Sequence, residues 1–219
     1  MSKTDKNIAP RLFKSPAGKQ PIAARPYATG VTIGALILTL FGGFWASAGL
    51  MNLSKVPAWI YIILSLPVIV LILSAASRLI NIKKLPEVAD DGMSAREGKK
   101  IGIAFGIVFA VEFILIAAAA VILNKLNRPL LIPIAVALIV GLHFLPLARL
   151  FQVPVYSVTG LLCIACALAS LFVSNEALRL LLLGLSIAIV LWVSAGIVLL
   201  LYAGFRRSRP LRAKLENGT

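Results

Sequence analysis

Residues 101–123 read IGIAFGIVFAVEFILIAAAAVIL, and this stretch decides how the rest of the chain is interpreted. A helix needs about 20 apolar residues to cross the roughly 30 Å hydrocarbon core of a bilayer. Here a single charged residue, Glu112, interrupts an otherwise apolar run. A helix also satisfies its backbone hydrogen bonds within the segment, which lipid requires. The stretch therefore predicts a transmembrane helix with one acid near its middle.

Five further apolar runs have comparable lengths. The six predicted spans cover about 28–51, 56–77, 101–123, 129–148, 155–172 and 177–205. The chain is 60% hydrophobic and 14% charged, whereas soluble domains are roughly 45–50% apolar and about 25% charged. This composition excludes a soluble enzyme. We expect an all-α integral membrane protein with a six-helix domain over 28–205. A disordered basic arm is expected over 1–27, because it has too little apolar surface to fold alone, and a basic tail over 206–219.

The net charge of +14 predicts the orientation of these spans. Of the 22 Lys and Arg residues, 18 fall on the side of the two termini and 4 on the other side. Because positive residues are enriched on the cytoplasmic side, both termini are predicted in the cytoplasm, with the protein in the plasma (inner) membrane. The basic tail should contact anionic lipid headgroups, at about 1 kcal/mol per charge, through Arg206, Arg207, Arg209, Arg212 and Lys214. No nucleic-acid partner is expected, since no recognition-helix pattern accompanies these residues.

Glu112 is the candidate for function. Placing a carboxylate at mid-membrane costs roughly 2.5–3.5 kcal/mol of insertion free energy, so such a residue usually has a function. Apart from Arg179 at the very start of the sixth span, no Lys or Arg lies within a predicted span to neutralise it, so desolvation favours its protonated form. Two interpretations stay open: a site for a proton or cation, and a protonated acid that holds helices together by hydrogen bonding.

A weakly polar stripe on the fifth span is the predicted partner of Glu112. Its members recur at steps of three and four and cover an arc of about 80°: Tyr156, Thr159, Cys163, Cys166 and Ser170. Because lipid-facing stripes are apolar, this stripe should face the interior and line a pathway. The two cysteines fit small-residue packing better than redox or metal chemistry. We expect no catalytic residue, no cofactor and no metal ion.

His143 lies near the cytoplasmic end of the fourth span, just before Pro146. It could relay protons to Glu112, since imidazole titrates near neutrality. Counted along the helices, it should lie about 7–10 Å nearer the cytoplasm than Glu112. The alternative is that it bonds a carbonyl freed by Pro146. On the third span, Gly102 and Gly106 form a small-residue ridge that should pack against a neighbouring helix, about 120° away from the acid.

The stretch Gly141-Leu-His143-Phe-Leu-Pro146-Leu-Ala, followed by Tyr156-Ser-Val-Thr159-Gly160, resembles a motif of small uncharacterised bacterial multi-spanning membrane proteins. The resemblance covers about twenty residues. It implies an integral membrane protein without an established activity, and it gives His143 and Tyr156 additional weight as functional residues.

These features predict a transporter or pore for a small solute or ion, linked to protons through Glu112. The alternative is a non-catalytic accessory, regulatory or assembly protein that uses its polar groups for packing. An intramembrane lipid-modifying enzyme is the least supported alternative, because Glu112, His143 and Tyr156 are the only candidate catalytic residues and are too few to define a reaction. Six spans suit either a complete bundle or a homo-oligomer.

Overall fold

A computed structural model describes residues 25–51, 53, 55–83 and 95–207. Six α-helices account for most of them: α1 (Arg25–Leu50), α2 (Ala58–Lys83), α3 (Ala95–Lys125), α4 (Ile132–Phe151), α5 (Pro154–Ser170) and α6 (Glu176–Arg207). A 3₁₀ turn, Pro129–Leu131, precedes α4, and no strand occurs in these ranges. The predicted all-α class is confirmed, with one helix for each predicted span.

Five of the helices are long and apolar enough to cross a membrane: α1, α2, α3, α4 with its preceding turn, and α6. The exception is α5, whose 17 residues extend about 26 Å. Two helices continue past the predicted spans, since α2 ends at Lys83 and α3 begins at Ala95. The first helix begins at Arg25, inside the predicted basic arm. The rest of that arm and residues 208–219 lie outside the described residues.

Local chemistry places several helix ends. Pro154 occupies the first turn of α5, where its missing N–H removes no helical hydrogen bond. Gln152 closes α4 in the left-handed conformation with φ 53°, so that α5 follows almost at once. Asn175 caps α6, because its Oδ1 accepts a hydrogen bond from the Leu178 N–H at 2.9 Å. The chain therefore reverses direction tightly at both ends of α5.

The centre of the bundle is the contact between α1 and α6. A Cβ placed on Gly184 would lie 2.6 Å from the carbonyl oxygen of Trp45 and 2.7 Å from the Cα of Gly49. Only glycine allows this approach of two backbones, and small residues serve the same purpose in other membrane helices. The Trp192 indole N–H also donates to the Thr39 carbonyl, 3.1 Å away.

The pair α4 and α5 packs against this centre through α5. A Cβ on Gly160 would lie 2.5 Å from the Gly141 carbonyl oxygen, so these two helices also cross backbone against backbone. The Thr159 hydroxyl donates to the carbonyl of Val155 and lies 2.7 Å from the Ser194 hydroxyl on α6. The α5 helix therefore joins α4 to the central pair.

The remaining helices lie at the edges, α2 against α1 and α6, and α3 against α4. Both are apolar and largely exposed on their outer faces, as expected of surfaces covered by lipid. Gly102 and Gly106 face open space, with nothing within 4 Å of a Cβ built on either. The prediction that their ridge packs on a neighbouring helix is wrong for this chain, because α4 contacts a different face of α3.

Candidate intramembrane site

Glu112 and His143 meet between α3 and α4. The carboxylate Oε2 lies 3.1 Å from the imidazole Nδ1, and the two side chains are 11% and 7% exposed. Glu112 is near the middle of α3, and His143 is on the inner face of α4. The packing of α3 on α4 therefore gives the intramembrane acid a titratable partner of opposite charge type.

The contact is a close approach without the direction of an ideal hydrogen bond. Nδ1 is buried and has no directed hydrogen-bond partner among the described residues. The backbone of Val108, one turn before Glu112, provides a second polar contact to the imidazole. His143 is thus held on one side by α3 and still has hydrogen-bonding capacity at Nδ1, beside the carboxylate.

This partner differs from the predicted one. The fifth-span stripe was expected to face Glu112, but α3 packs on α4 and its adjoining turn rather than on α5. The expected separation in depth between His143 and Glu112 also disappears at the level of their side chains, which are in contact. Depth along two separate helices does not determine the distance between side chains, because tilt and side-chain length compensate for several ångströms.

The pair lines a cavity of about 90 Å³ between α1 and α3. All helices except α2 contribute to its wall: Gly34, Ile37, Leu38, Phe41, Phe105, Phe109, Glu112, Val140, His143, Phe144, Leu147, Phe151, Tyr156 and Leu191. The wall combines one acid, one imidazole and one phenol with an otherwise apolar surface. A concave, mostly apolar site with a few convergent polar groups is the usual form of a small-molecule site.

Aromatic rings surround the acid. The centroids of Phe105 and Phe109 lie 5.4 Å apart, and Phe105 meets Phe151 of α4 edge-on at 5.8 Å. His143 contacts Phe109 on one side at 5.5 Å and Phe144 on the other at 6.0 Å. These separations are within the range of favourable ring pairs, which fix the orientation of each member. The imidazole is therefore held rigidly at the cavity wall.

Tyr156 provides the third polar group of the cavity. Its side chain is buried, and a Cβ on Gly34 of α1 would lie 2.5 Å from its hydroxyl oxygen. Its ring lies 6.1 Å from that of Phe144. Glycine at position 34 thus leaves room for the phenol to reach from α5 to the backbone of α1, across the cavity.

The other members of the stripe do not line this cavity. Thr159 and Cys163 are fully buried, and the Ser170 hydroxyl donates to the Ala167 carbonyl at 2.7 Å. Cys163 and Cys166 are both free thiols. The stripe therefore faces the protein interior, as expected, but only Tyr156 reaches the cavity. Within the described residues no group of three His, Cys, Asp or Glu is placed to hold a metal ion.

The predicted lipid-contacting residues fall at or beyond the limit of the structure. Arg206 and Arg207 end α6. Arg209, Arg212 and Lys214 lie outside the described residues. The headgroup contacts of this tail stay a prediction.

Two sets of residues in the cavity wall were not predicted from the sequence. Phe105 and Phe109 precede Glu112 by seven and three residues, a spacing that places all three on one helix face. This spacing is visible in the sequence of residues 101–123. In contrast, no local sequence pattern marks the α1 residues of the cavity wall, such as Gly34 and Phe41. They line the cavity because of the way α1 crosses the bundle.

Residues 96–202 match the model described as "Family of unknown function (DUF7010)". The matched region runs through α3, α4, α5 and most of α6, and so includes Glu112, His143 and Tyr156; α1 and α2 lie outside it. No curated protein and no solved structure matches the chain significantly. The similarity agrees with the expectation of relatives without an assigned activity, and the function must be argued from the site itself.

Proposed function

We propose that this protein is a transporter or pore for a small solute or ion, with Glu112 as its proton or cation site. The single observation that carries the proposal is the contact between Glu112 and His143 at the wall of a cavity. A carboxylate in the membrane is costly, and it is most useful where it faces a space that a solute can occupy.

The pair can exchange a proton at low cost. A protonated Glu112 beside a neutral His143 and an ionised Glu112 beside a cationic His143 have the same net charge. Removing a single partner of a buried pair leaves an uncompensated charge, whereas moving the proton within the pair does not. Glu112 can therefore hold a proton and pass it to His143, which releases it toward the side of the two termini. The ionised carboxylate then takes up a cation beside a neutral imidazole.

The position of the cavity supports a route from the side of the two termini. Its lining includes Phe105 in the first half of α3, Phe151 at the end of α4 and Tyr156 at the start of α5. These helix ends belong to the side that carries most of the basic residues. We propose that this side is the cytoplasm and that His143 lies toward the cytoplasmic mouth of the pathway.

Replacement of Glu112 by Gln tests the proposal. The purified full chain is reconstituted in liposomes that contain a pH-sensitive dye, and proton flux is followed after an imposed pH gradient. We expect normal expression of Glu112→Gln and loss of the protein-dependent flux, because the amide is nearly isosteric but cannot release a proton. Glu176→Gln is the matched control, since this acid is 60% exposed at the start of α6. Flux that persists unchanged in Glu112→Gln would overturn the proton-site proposal.

A second candidate is an accessory or assembly protein, and the position of α3 favours it. This helix is attached to the bundle chiefly through α4, and Glu112–His143 is a polar contact across that interface. As a structural clamp, the pair would hold α3 in place for a partner without moving a solute. In that case Glu112→Gln lowers stability or co-purification of a partner, and the wild-type protein gives no flux above empty liposomes.

We also propose that all six helices cross the bilayer of a plasma membrane, with both termini in the cytoplasm. The distribution of 18 basic residues on one side against 4 on the other supports the orientation. The short α5 is supported by partners on two sides, α4 and α6, and local thinning of the bilayer accommodates a short helix at modest cost. Fluorescent or enzymatic reporters fused to each terminus test this topology, and a terminus found outside would overturn it.

A further inference from the structure

We propose that the cavity at Glu112 binds a small ammonium ion, such as ammonium or a short primary alkylammonium. This inference rests on the proposed function, because it assigns a substrate class to the same site. It depends on three features of the wall: the sign of its charge, its hydrogen-bonding groups and its aromatic rings.

The charge of the wall selects a cation. Among the described residues, Glu112 is the one carboxylic acid that lines the cavity, and none of the described Lys or Arg residues lines it. The carboxylate is 11% exposed, so water does little to screen a charge bound beside it. An anion would find no positive partner here except a protonated His143.

The hydrogen-bonding groups favour an N–H cation over a metal cation. The side chain of His143 lines the site and is 7% exposed, and its buried Nδ1 lies 3.1 Å from the Glu112 carboxylate without a directed hydrogen bond. A neutral imidazole can accept an N–H at this atom, and Glu112 can accept another. Alkali and alkaline-earth ions prefer shells of several oxygens, whereas the lining side chains that carry oxygen are Glu112 and Tyr156.

The rings provide the remaining contacts. Five phenylalanines line the cavity, and Phe109 lies against both Phe105 and His143. A cation close to a ring face is attracted by the negative face of the ring, and recognition of ammonium groups commonly uses such rings. The same rings make the wall mostly apolar, which lowers the local dielectric constant and strengthens the interaction with Glu112.

The volume limits the size of the ion. A cavity of about 150 Å³ holds benzene, with six heavy atoms, so the observed cavity of about 90 Å³ suits roughly four heavy atoms. Methylammonium fits within this limit. A bulky quaternary ammonium with long chains would require the cavity to expand.

Methylammonium chloride is the probe, tested on the purified full chain in detergent. The melting temperature is followed as its concentration increases, with sodium and potassium chloride at equal ionic strength. A ligand that binds only the folded protein raises the melting temperature, and the increase grows with the logarithm of its concentration above the Kd. We expect methylammonium to raise it well above either salt, and Glu112→Gln, confirmed as folded by size-exclusion chromatography, to remove the difference.

Two phenylalanine variants provide the matched comparison. Phe109→Leu should weaken the apparent affinity about five- to thirty-fold, as expected for the loss of a ring contact to a desolvated cation. Phe113→Leu, one turn further along α3 at a side chain that is 59% exposed, should leave the affinity unchanged. Equal shifts from sodium and methylammonium, or a methylammonium shift that persists in Glu112→Gln, would overturn the assignment.

The liposome measurement separates the two proposals. If proton flux depends on Glu112 but methylammonium neither stabilises the protein nor competes with that flux, the ammonium assignment fails and the proton site stands. If methylammonium binds through Glu112 but wild-type and Glu112→Gln give the same flux, the ammonium assignment is supported and proton-linked transport fails.

Discussion

The α1–α6 contact and the α3–α4 contact are built differently. At the first, Gly49 and Gly184 bring two backbones together, and Trp192 donates across the interface to Thr39. At the second, large rings and the Glu112–His143 pair meet, and a cavity lies beside them and α1. At the first interface two backbones touch, whereas the second lies beside a space lined by an acid.

This difference assigns stability and chemistry to separate parts of the bundle. In a membrane, close packing stabilises helix association because lipid offers little hydrophobic gain. A cavity forfeits part of those packing contacts, so it is best placed where the fold depends on it least. Since α3 is an edge helix, it can carry the costly acid while the central pair holds the fold together.

The largest loss of stability is expected from a substitution at the contact between α1 and α6. Gly184→Leu would place a side chain against the Trp45 carbonyl and the Gly49 Cα, both of which are backbone atoms that cannot move aside cheaply. We expect a loss of about 3 kcal/mol or failure to fold, at the upper end of overpacking effects. Thermal unfolding in detergent, followed by tryptophan fluorescence, measures this loss. A variant with wild-type stability would show that α1 and α6 are not tightly packed.

A smaller effect is expected at the Glu112–His143 pair. In a double-mutant cycle with Glu112→Ala and His143→Ala, we expect a coupling energy of about 1 kcal/mol. Polar pairs between membrane helices average about 0.6 kcal/mol and reach about 1.7 kcal/mol. Unfolding in mixed micelles of increasing SDS content gives the four stabilities. A coupling near zero would mean that the two side chains do not interact in the folded protein, which would remove the basis of the proposed relay.

The smallest effect is expected on the outer face of α3. Gly106→Leu makes the same change as Gly184→Leu but in open space. Stability should be unchanged or higher by up to about 1 kcal/mol, because leucine is the better helix former. Light scattering of the detergent complex gives the oligomeric state in parallel. A marked loss of stability together with dissociation would show instead that this face packs against a second copy of the chain.

Much of the helical architecture could be predicted from the sequence. Apolar runs of sufficient length fix where helices form, since backbone groups in lipid must be satisfied locally. Four of the five residues of the stripe from Tyr156 to Ser170 are buried and Cys166 is half-buried, so the stripe faces mainly inward, because its periodicity is a property of one helix. The fifth-span stripe proposed as the partner surface of Glu112 reaches the cavity only through Tyr156, because nothing in α3 alone specifies which helix packs beside it.

The packing ridges show the same limit. Gly102-x-x-x-Gly106 looks as suitable for close packing as any glycine pair in the chain, yet it faces open space. Gly49 and Gly184, which form the central contact, are separated by most of the chain. A pair of glycines spaced by four residues shows only that a second helix could approach closely without a steric clash. Whether a second helix lies opposite those glycines depends on the arrangement of the whole bundle.

The sequence by itself determined the all-α class of the protein, the positions of its apolar helices and the presence of one acid, Glu112, inside an apolar helix. These follow from composition and from the requirement that each membrane segment satisfy its own backbone. Only the tertiary structure brought Glu112 to His143, added the Phe41 and Gly34 side of the wall and formed the cavity between them. Those contacts join residues far apart in the chain, so their geometry is set by helix packing and by no local pattern.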